Sequence, residues 1–219
     1  TVSLVPISIA LVLLAIRGSY YAFEAYSGAS GHKGYAFAYG VSGLFIPAAL
    51  SVVLTISEGG FINIVDGHPQ LDYVALFTSK LSWAIVVLAV VAVLYISSVF
   101  LTWYASRAGD ESASEYMRKY ALIWAAPLIL AAFGIIIEMR ALHNWHYNNM
   151  LNLWWLFVIS GILFIVTIGL LAKRKKYGLA VILLILQFAA AFYAYGISHY
   201  PYLLYPYLSI KESFTSEAM

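Results

Sequence analysis

Cysteine and charged residues are scarce in this sequence, and both shortages limit what the protein can be. None of the 219 residues is a cysteine, which excludes thiol chemistry, zinc–thiolate sites and iron–sulfur clusters held by this chain. Charged residues make up only 10% of the chain, against about 25% in a typical soluble domain. The 63% of hydrophobic residues excludes disorder, and a net charge of +2 without a basic, aromatic-rich patch excludes nucleic-acid binding. The composition therefore predicts a membrane protein with several spans.

Long apolar runs recur six times along the chain. A membrane-spanning helix needs about 20 predominantly apolar residues. The runs cover residues 1–16 with an extension towards 23, then 35–56, 81–105, 120–137, 150–172 and 177–197. Each run is apolar on every face, whereas a strand of a membrane barrel alternates over about ten residues. The sequence predicts an all-α membrane protein, a polytopic helix bundle with six visible spans, in which Pro127 kinks the fourth.

Lysine and arginine are concentrated in alternate loops. The loops at residues 17–34, 106–119 and 173–176 hold nine of the twelve Lys and Arg residues. Because cytoplasmic loops of membrane proteins are enriched in these cations, we expect these three loops to be cytoplasmic and both chain ends to face outward. The longest outer connection, residues 57–80, is rich in turn-forming residues and is expected to be a loop. The chain begins inside an apolar run, so we expect residues 1–219 to be a single transmembrane domain truncated at both ends.

Few ionisable residues lie near the predicted spans. Arg17 and Glu24 are two helical turns apart and so share a face of the first helix. They are candidates for proton access or for contact with a partner's charge, and the simpler interpretation is an Arg that reaches the lipid headgroups. Glu58 and Glu138 lie at the predicted outer ends of the second and fourth spans, where they could line an aqueous funnel. We favour solvated carboxylates at both positions, with Glu138 close enough to Arg140 to pair locally.

The histidines offer little support for a metal or haem site. His143 and His146 would share a helical face with Glu138 nearby, but no further ligand completes the usual set of three or four. The segment 144–149 is expected to be an interfacial loop. A haem-ligating His in a membrane bundle lies within a span, whereas His32, His68, His143, His146 and His199 all fall in predicted loops or at the outer edge of a span. We therefore expect no catalytic, metal-binding or cofactor-binding residue on this chain.

Short motifs along the chain resemble those of one family of respiratory enzymes. Residues 13–24 read LLAIRGSYYAFE, residues 103–107 read WYASR, and residues 195–202 read YGISHYPY, followed by SIKESFT at 209–215. These stretches resemble the Arg-Gly and aromatic-Glu signature, the exit of the third span and the aromatic-Pro tail of subunit II of the bd-type quinol oxidases. The overall pattern is similar to that of Gram-positive members, and the resemblance covers the whole chain.

The resemblance implies a fold and a function. Subunit II has nine spans, built as two four-helix bundles plus one helix, and the six spans here would be its third to eighth. It is a haem-free subunit that pairs with and stabilises subunit I, which carries the b-type and d-type haems and the quinol site. In the bacterial plasma membrane the complex oxidises quinol, reduces dioxygen to water and generates a proton-motive force.

The resemblance also bears on partners and on individual residues. Membrane lipid and quinone are further expected partners, nucleic acid is not, and a small third subunit stays an open question. Arg17 and Glu24 match the first motif, and their expected role is to fix the end of a helix. In the family, the acidic residue of the proton pathway lies in the first spans of subunit II. The resemblance therefore assigns that role to no residue of this chain.

Two alternatives stay open from the residues alone. A transporter or permease fragment would show broken helices with polar groups at mid-membrane. Pro47 and Pro127 support it weakly, because no charged residue accompanies either one. A scaffold protein without chemistry of its own would have the same composition as a stabilising subunit.

Overall fold

A computed structural model describes residues 3–27, 33–65, 68–142 and 144–210. The helices are α1 (Leu4–Ser27), α2 (Lys33–Ser57), α3 (Tyr73–Thr78), α4 (Lys80–Arg107), α5 (Glu111–Leu142), α6 (Asn144–Asn152), α7 (Trp154–Ala172) and α8 (Tyr177–His199). The strands are β1 (Ile62–Val65), β2 (His68–Leu71), β3 (Tyr202–Leu204) and β4 (Leu208–Ser209). The chain forms two compact units, one up to Val90 and one from Val91 onward.

Most of the predicted spans are helices of membrane length. Within the described residues, α4, α5, α7, α8 and the Phe37–Ser57 part of α2 are long and apolar enough to cross a bilayer. The first predicted span is helical as well, and its apolar stretch Leu4–Tyr20 is shorter than the other five. The prediction of an all-α polytopic bundle is confirmed. Pro47 and Pro127 lie inside continuous helices.

The first unit is built on the pairing of α1 with α2, followed by a small hairpin. After α2 the chain turns through Gly59 and Gly60, whose φ values of 87° and 81° lie in the left-handed region that favours glycine. Strands β1 and β2 then pair antiparallel with Ile62 opposite Leu71. Asp72 begins α3, because its Oδ1 accepts a hydrogen bond from the Ala75 amide at 2.9 Å. The prediction of a loop over residues 57–80 is therefore wrong in detail.

The second unit packs α7 along α8, with α5 and α6 against them. Helix α5 buries an alanine-rich stripe, and small side chains of this kind let helices approach closely. The stripe comprises Ala121, Ala125, Leu128, Ala131 and Ile135. Two hydroxyls link neighbouring helices: Ser114 donates to the Thr102 carbonyl at 3.0 Å, and Ser160 donates to the Gln187 carbonyl at 3.0 Å.

One predicted loop of the second unit is a helix. Residues 144–149 lie in α6, so the prediction of an interfacial loop is wrong. The segment is polar overall, but His146 and Met150 are one turn apart on the same face, and both are buried. Packing of this face against α5 and α8 outweighs the weak helix propensity of its asparagines.

Candidate functional site

Arg17 contacts α2 through its charged group. Its Nη2 donates to the Tyr39 hydroxyl at 3.1 Å, and its guanidinium carbon lies 4.4 Å from the centre of the Tyr39 ring. Arg17 is half-buried, and the ring of Tyr20 lies 5.1 Å from that of Tyr39. A cation over an aromatic face and a hydrogen bond to the same side chain hold α1 to α2. Glu24 belongs to α1, and its side chain lies outside the described part of the chain, so a joint role with Arg17 stays a prediction.

Glu58 and Glu138 differ in how far they are buried. Glu58 is fully buried, so the interpretation of a solvated carboxylate is wrong there. Phe61 and Ile62, which follow it along the chain, are buried as well. Glu138 is half-exposed and forms no ion pair with Arg140, because residues two apart on a helix point in different directions.

A charged cluster joins α5 to the end of α7. This Arg118 cluster consists of Glu115, Arg118, Arg174 and the carbonyl of Leu171. Arg118 donates from Nε and Nη2 to the two oxygens of Glu115 at 2.8 and 2.7 Å, and from Nη1 to the Leu171 carbonyl at 3.2 Å. Arg174 also reaches Glu115 Oε1, at 3.0 Å.

The geometry of the Arg118 cluster indicates a structural clamp. Arg118 is only 8% exposed, and its planar fork binds the carboxylate of Glu115 in a bidentate manner. The carbonyl of Leu171, in the last turn of α7, also accepts a hydrogen bond from the Arg174 amide at 3.2 Å. Arg118 adds a side-chain donor to the same carbonyl and so joins α5 to the turn between α7 and α8.

A second cluster lies where α6 meets the end of α8. This His146 cluster consists of Trp145, His146, Ser198 and His199. His146 Nε2 lies 2.7 Å from Ser198 Oγ, and His199 Nδ1 lies 2.7 Å from the Tyr202 carbonyl. His146 is fully buried, and Ser198 and His199 are nearly so.

The hydrogen bonds restrict where the protons of the two imidazoles lie. The Ser198 hydroxyl is 2.7 Å from both the Tyr195 carbonyl and His146 Nε2; when its one hydrogen goes to the carbonyl, His146 Nε2 donates to Ser198 Oγ. The Tyr202 carbonyl can only accept, so His199 Nδ1 carries a hydrogen.

Aromatic rings surround the His146 cluster. The Trp145 ring stacks on that of Tyr205 with centroids 4.3 Å apart and planes at 14°, and it meets His199 and Tyr202 edge-on at 5.3 and 5.6 Å. Asn149 adds a hydrogen bond from Nδ2 to the Ser198 carbonyl at 3.1 Å. The aromatic tail after α8 therefore packs onto α6.

The His146 cluster is not arranged for nucleophilic catalysis. A general base needs the proton of its nucleophile directed at it, whereas the Tyr195 carbonyl competes with His146 Nε2 for the hydrogen of Ser198 at the same distance. Ser198 is 2% exposed, which leaves no approach for a substrate. Sequence reasoning missed both clusters, because their members are separated by about fifty residues and no local motif links them.

Comparisons with known proteins identify the family. The model of the family described as cytochrome bd terminal oxidase subunit II matches residues 1–219 of this chain. The chain belongs to this family. A protein of Bacillus subtilis (strain 168), named for subunit II of a cytochrome bd menaquinol oxidase, is 34% identical over 226 residues that include 100% of this chain. A chain of the bd oxidase structure from Geobacillus thermodenitrificans is 56% identical, with a TM-score of 0.84 and 99% of this chain covered.

The match extends over only part of each relative. This chain spans 65% of the B. subtilis protein and 65% of the G. thermodenitrificans chain. The family and the membrane-length helices together show a multi-pass membrane protein of the respiratory oxidase family. None of the comparisons supports a transporter or permease.

Proposed function

We propose that this chain is part of the haem-free subunit II of a bd-type quinol oxidase. In this proposal it pairs with a haem-bearing subunit I in the bacterial plasma membrane and stabilises it. The complex oxidises quinol, reduces dioxygen to water and contributes to the proton-motive force. The observation that carries the proposal is the match of the subunit II family model to the whole of the chain.

The described side chains support a structural rather than a catalytic contribution. The Arg118 cluster and the His146 cluster each tie helices together through buried polar contacts. In the first unit, the contact of Arg17 with Tyr39 likewise joins two helices. In this proposal the chemistry belongs to the b-type and d-type haems of the partner, and quinone and lipid bind the complex.

The proposal includes an orientation and a quinol class. The loops at residues 17–34, 106–119 and 173–176 carry most of the Lys and Arg, and we place them in the cytoplasm. Menaquinol is the first quinol to test, because the B. subtilis relative is named for it.

The experiment is to capture the complex through a tag on the full-length protein and to record its reduced-minus-oxidised visible spectrum. We expect bands of b-type and d-type haem, a larger partner by mass spectrometry, and oxygen uptake with a menaquinol analogue. The matched control is the same tagged protein produced in a host that lacks subunit I. A colourless preparation without a partner from the complete host would contradict the proposal.

A further inference from the structure

The turn between α7 and α8 consists of four consecutive cations. They are Lys173, Arg174, Lys175 and Lys176, and all four are exposed. Among the described residues, Arg174 pairs with Glu115, and the three lysines take part in no ion pair. The loops at residues 106–119 and 173–176 together hold seven Lys and Arg residues but three acids, and the three acids match the cations of the first loop. The excess positive charge therefore lies in the α7–α8 turn.

The position of this turn places its cations at the depth of the lipid headgroups. Helices α7 and α8 are each long and apolar enough to cross the bilayer, and the turn joins them directly. A closed turn of four residues reaches at most about 7 Å beyond the helix ends, half of its extended length, which is about the thickness of the headgroup layer. Half-exposed Trp103 of α4 packs beside the turn, since a Cβ atom at Gly178 of α8 would lie 3.2 Å from its Nε1. Tryptophan is enriched at this depth, so lipid phosphates are the anions nearest to the turn outside the protein.

The backbone of the turn adopts, at two positions, a conformation that favours glycine. Arg174 and Lys176 have φ values of 54° and 51°. The amides of residues 173–175 donate to carbonyls of residues 169–171 at 3.0–3.2 Å, so hydrogen bonds to the end of α7 fix the turn. Side chains kept in such a conformation at the expense of stability indicate a role for those side chains. Arg174 uses its side chain to bind Glu115, whereas Lys176 pairs with no acid in the part of the chain that the structure describes. The role of Lys176 therefore lies in a contact outside this part of the chain.

We propose that the three lysines of the α7–α8 turn bind the phosphate of an anionic phospholipid headgroup. An ammonium group on a flexible stem suits a phosphate whose orientation is not fixed. Arg174 stays with Glu115 and holds the turn on α5, and exposed Lys119, one helical turn after Glu115, extends the same positive surface. A zwitterionic headgroup carries a cation of its own, which the lysines repel, so the site selects for net negative charge. The proposal rests on the membrane-spanning helices and is independent of the proposed function.

Cross-linking with photoreactive phospholipids tests the site on the full-length protein in its complex. The complex is placed in phosphatidylcholine nanodiscs that contain either a photoreactive phosphatidylglycerol or a phosphatidylcholine with the same photoreactive group. Chymotryptic peptides that include residues 173–176 are then examined by mass spectrometry. We expect the anionic probe to label these peptides several-fold more than the zwitterionic probe. Equal labelling by the two probes would overturn the proposal.

Two double variants with the same change in net charge separate the turn from the general charge of the protein. Lys175→Gln combined with Lys176→Gln should reduce the preference for the anionic probe several-fold, because each lysine near the membrane surface contributes to the attraction. Replacement of both lysines by arginine keeps the charge and should keep most of the preference. Lys80→Gln combined with Arg107→Gln removes two exposed cations at the ends of α4 and should leave the labelling of the turn unchanged. Equal losses in the two glutamine variants would contradict a site in the turn.

Coverage of the turn by an acidic segment of a partner protein is the competing arrangement. A zero-length carbodiimide would then join the lysines of residues 173–176 to carboxylates of that segment, and neither lipid probe would label the turn. This result would also overturn the proposal.

Discussion

At the scale of single residues, cations near the helix ends differ in how firmly they hold the second unit together. Arg118 is nearly buried, and each part of its guanidinium has a partner on α5 or α7. The side chain of Arg174 is 65% exposed, and its ion pair among the described residues is with the Glu115 carboxylate, which Arg118 already binds. Exposed ion pairs contribute little to stability, whereas removal of one partner from a buried charged network leaves the others unsatisfied.

We therefore expect Arg118→Ala to lower the Tm of the full-length protein in its complex by about 4–8 °C. The change removes the hydrogen bond from α5 to the Leu171 carbonyl and the bidentate partner of Glu115. Arg174→Ala should lower the Tm by less than about 2 °C. Intrinsic tryptophan fluorescence during heating measures both shifts.

Arg107→Ala is the matched control for these two variants. Arg107 is an exposed cation at the end of α4 and takes part in no ion pair among the described residues. Its replacement by alanine should leave the Tm within about 1 °C of the wild-type value. Equal losses for Arg118→Ala and Arg107→Ala would mean that general charge, rather than the contacts of Arg118, sets the stability.

At the scale of elements, the apolar runs of the sequence predict the long helices, whereas the shorter elements depend on tertiary contacts. A membrane-length run of apolar residues has few alternatives to a helix, which is why α4, α7 and α8 lie close to their predicted bounds. The polar segment around His146 had no comparable signal, and it is helical because one of its faces packs on α5 and α8. The burial of Glu58 depends on tertiary packing around the end of α2, which local sequence does not determine.

The guanidinium of Arg17 on α1 lies directly against Gly43 of α2. A Cβ atom at Gly43 would lie 2.5 Å from Arg17 Nη1, whereas a Cβ atom at Gly40 would meet nothing within 4 Å. Gly43→Ala should therefore displace Arg17 from Tyr39 and lower the Tm by about 2–4 °C. Gly40→Ala, one turn away on the same helix, should leave the Tm unchanged or raise it, because alanine favours the helix.

A double variant separates the displacement of Arg17 from other effects at Gly43. In the Arg17→Ala background the obstructing side chain is gone, so Gly43→Ala should no longer lower the Tm. The comparison of four melting curves, for wild type, both single variants and the double variant, measures this coupling. If Gly43→Ala still lowers the Tm in the Arg17→Ala background, the destabilisation comes from a contact other than that with Arg17.

At the scale of the whole molecule, much of the apolar surface of this chain faces outward. Large apolar side chains are exposed along several helices, among them Leu11 and Val12 of α1, Trp154 of α7 and Ile185 of α8. In a multi-pass membrane protein such surfaces meet lipid tails or the helices of a partner. A contact that fixes the position of one helix against another therefore influences how well the chain fits its partner.

Arg17→Ala should for this reason reduce assembly of the oxidase more than its turnover. The variant loses the hydrogen bond and the cation–π contact with Tyr39, so α1 is held less firmly on α2. If the proposed stabilising role is correct, less subunit I will be recovered per tagged chain, while oxygen uptake per haem d in the assembled fraction stays near the wild-type value. Haem content per tagged chain and oxygen consumption per haem measure the two quantities separately, with Arg107→Ala as the control for loss of a cation. Normal haem content with lost turnover would contradict the structural role and would instead place Arg17 on the path of protons or electrons.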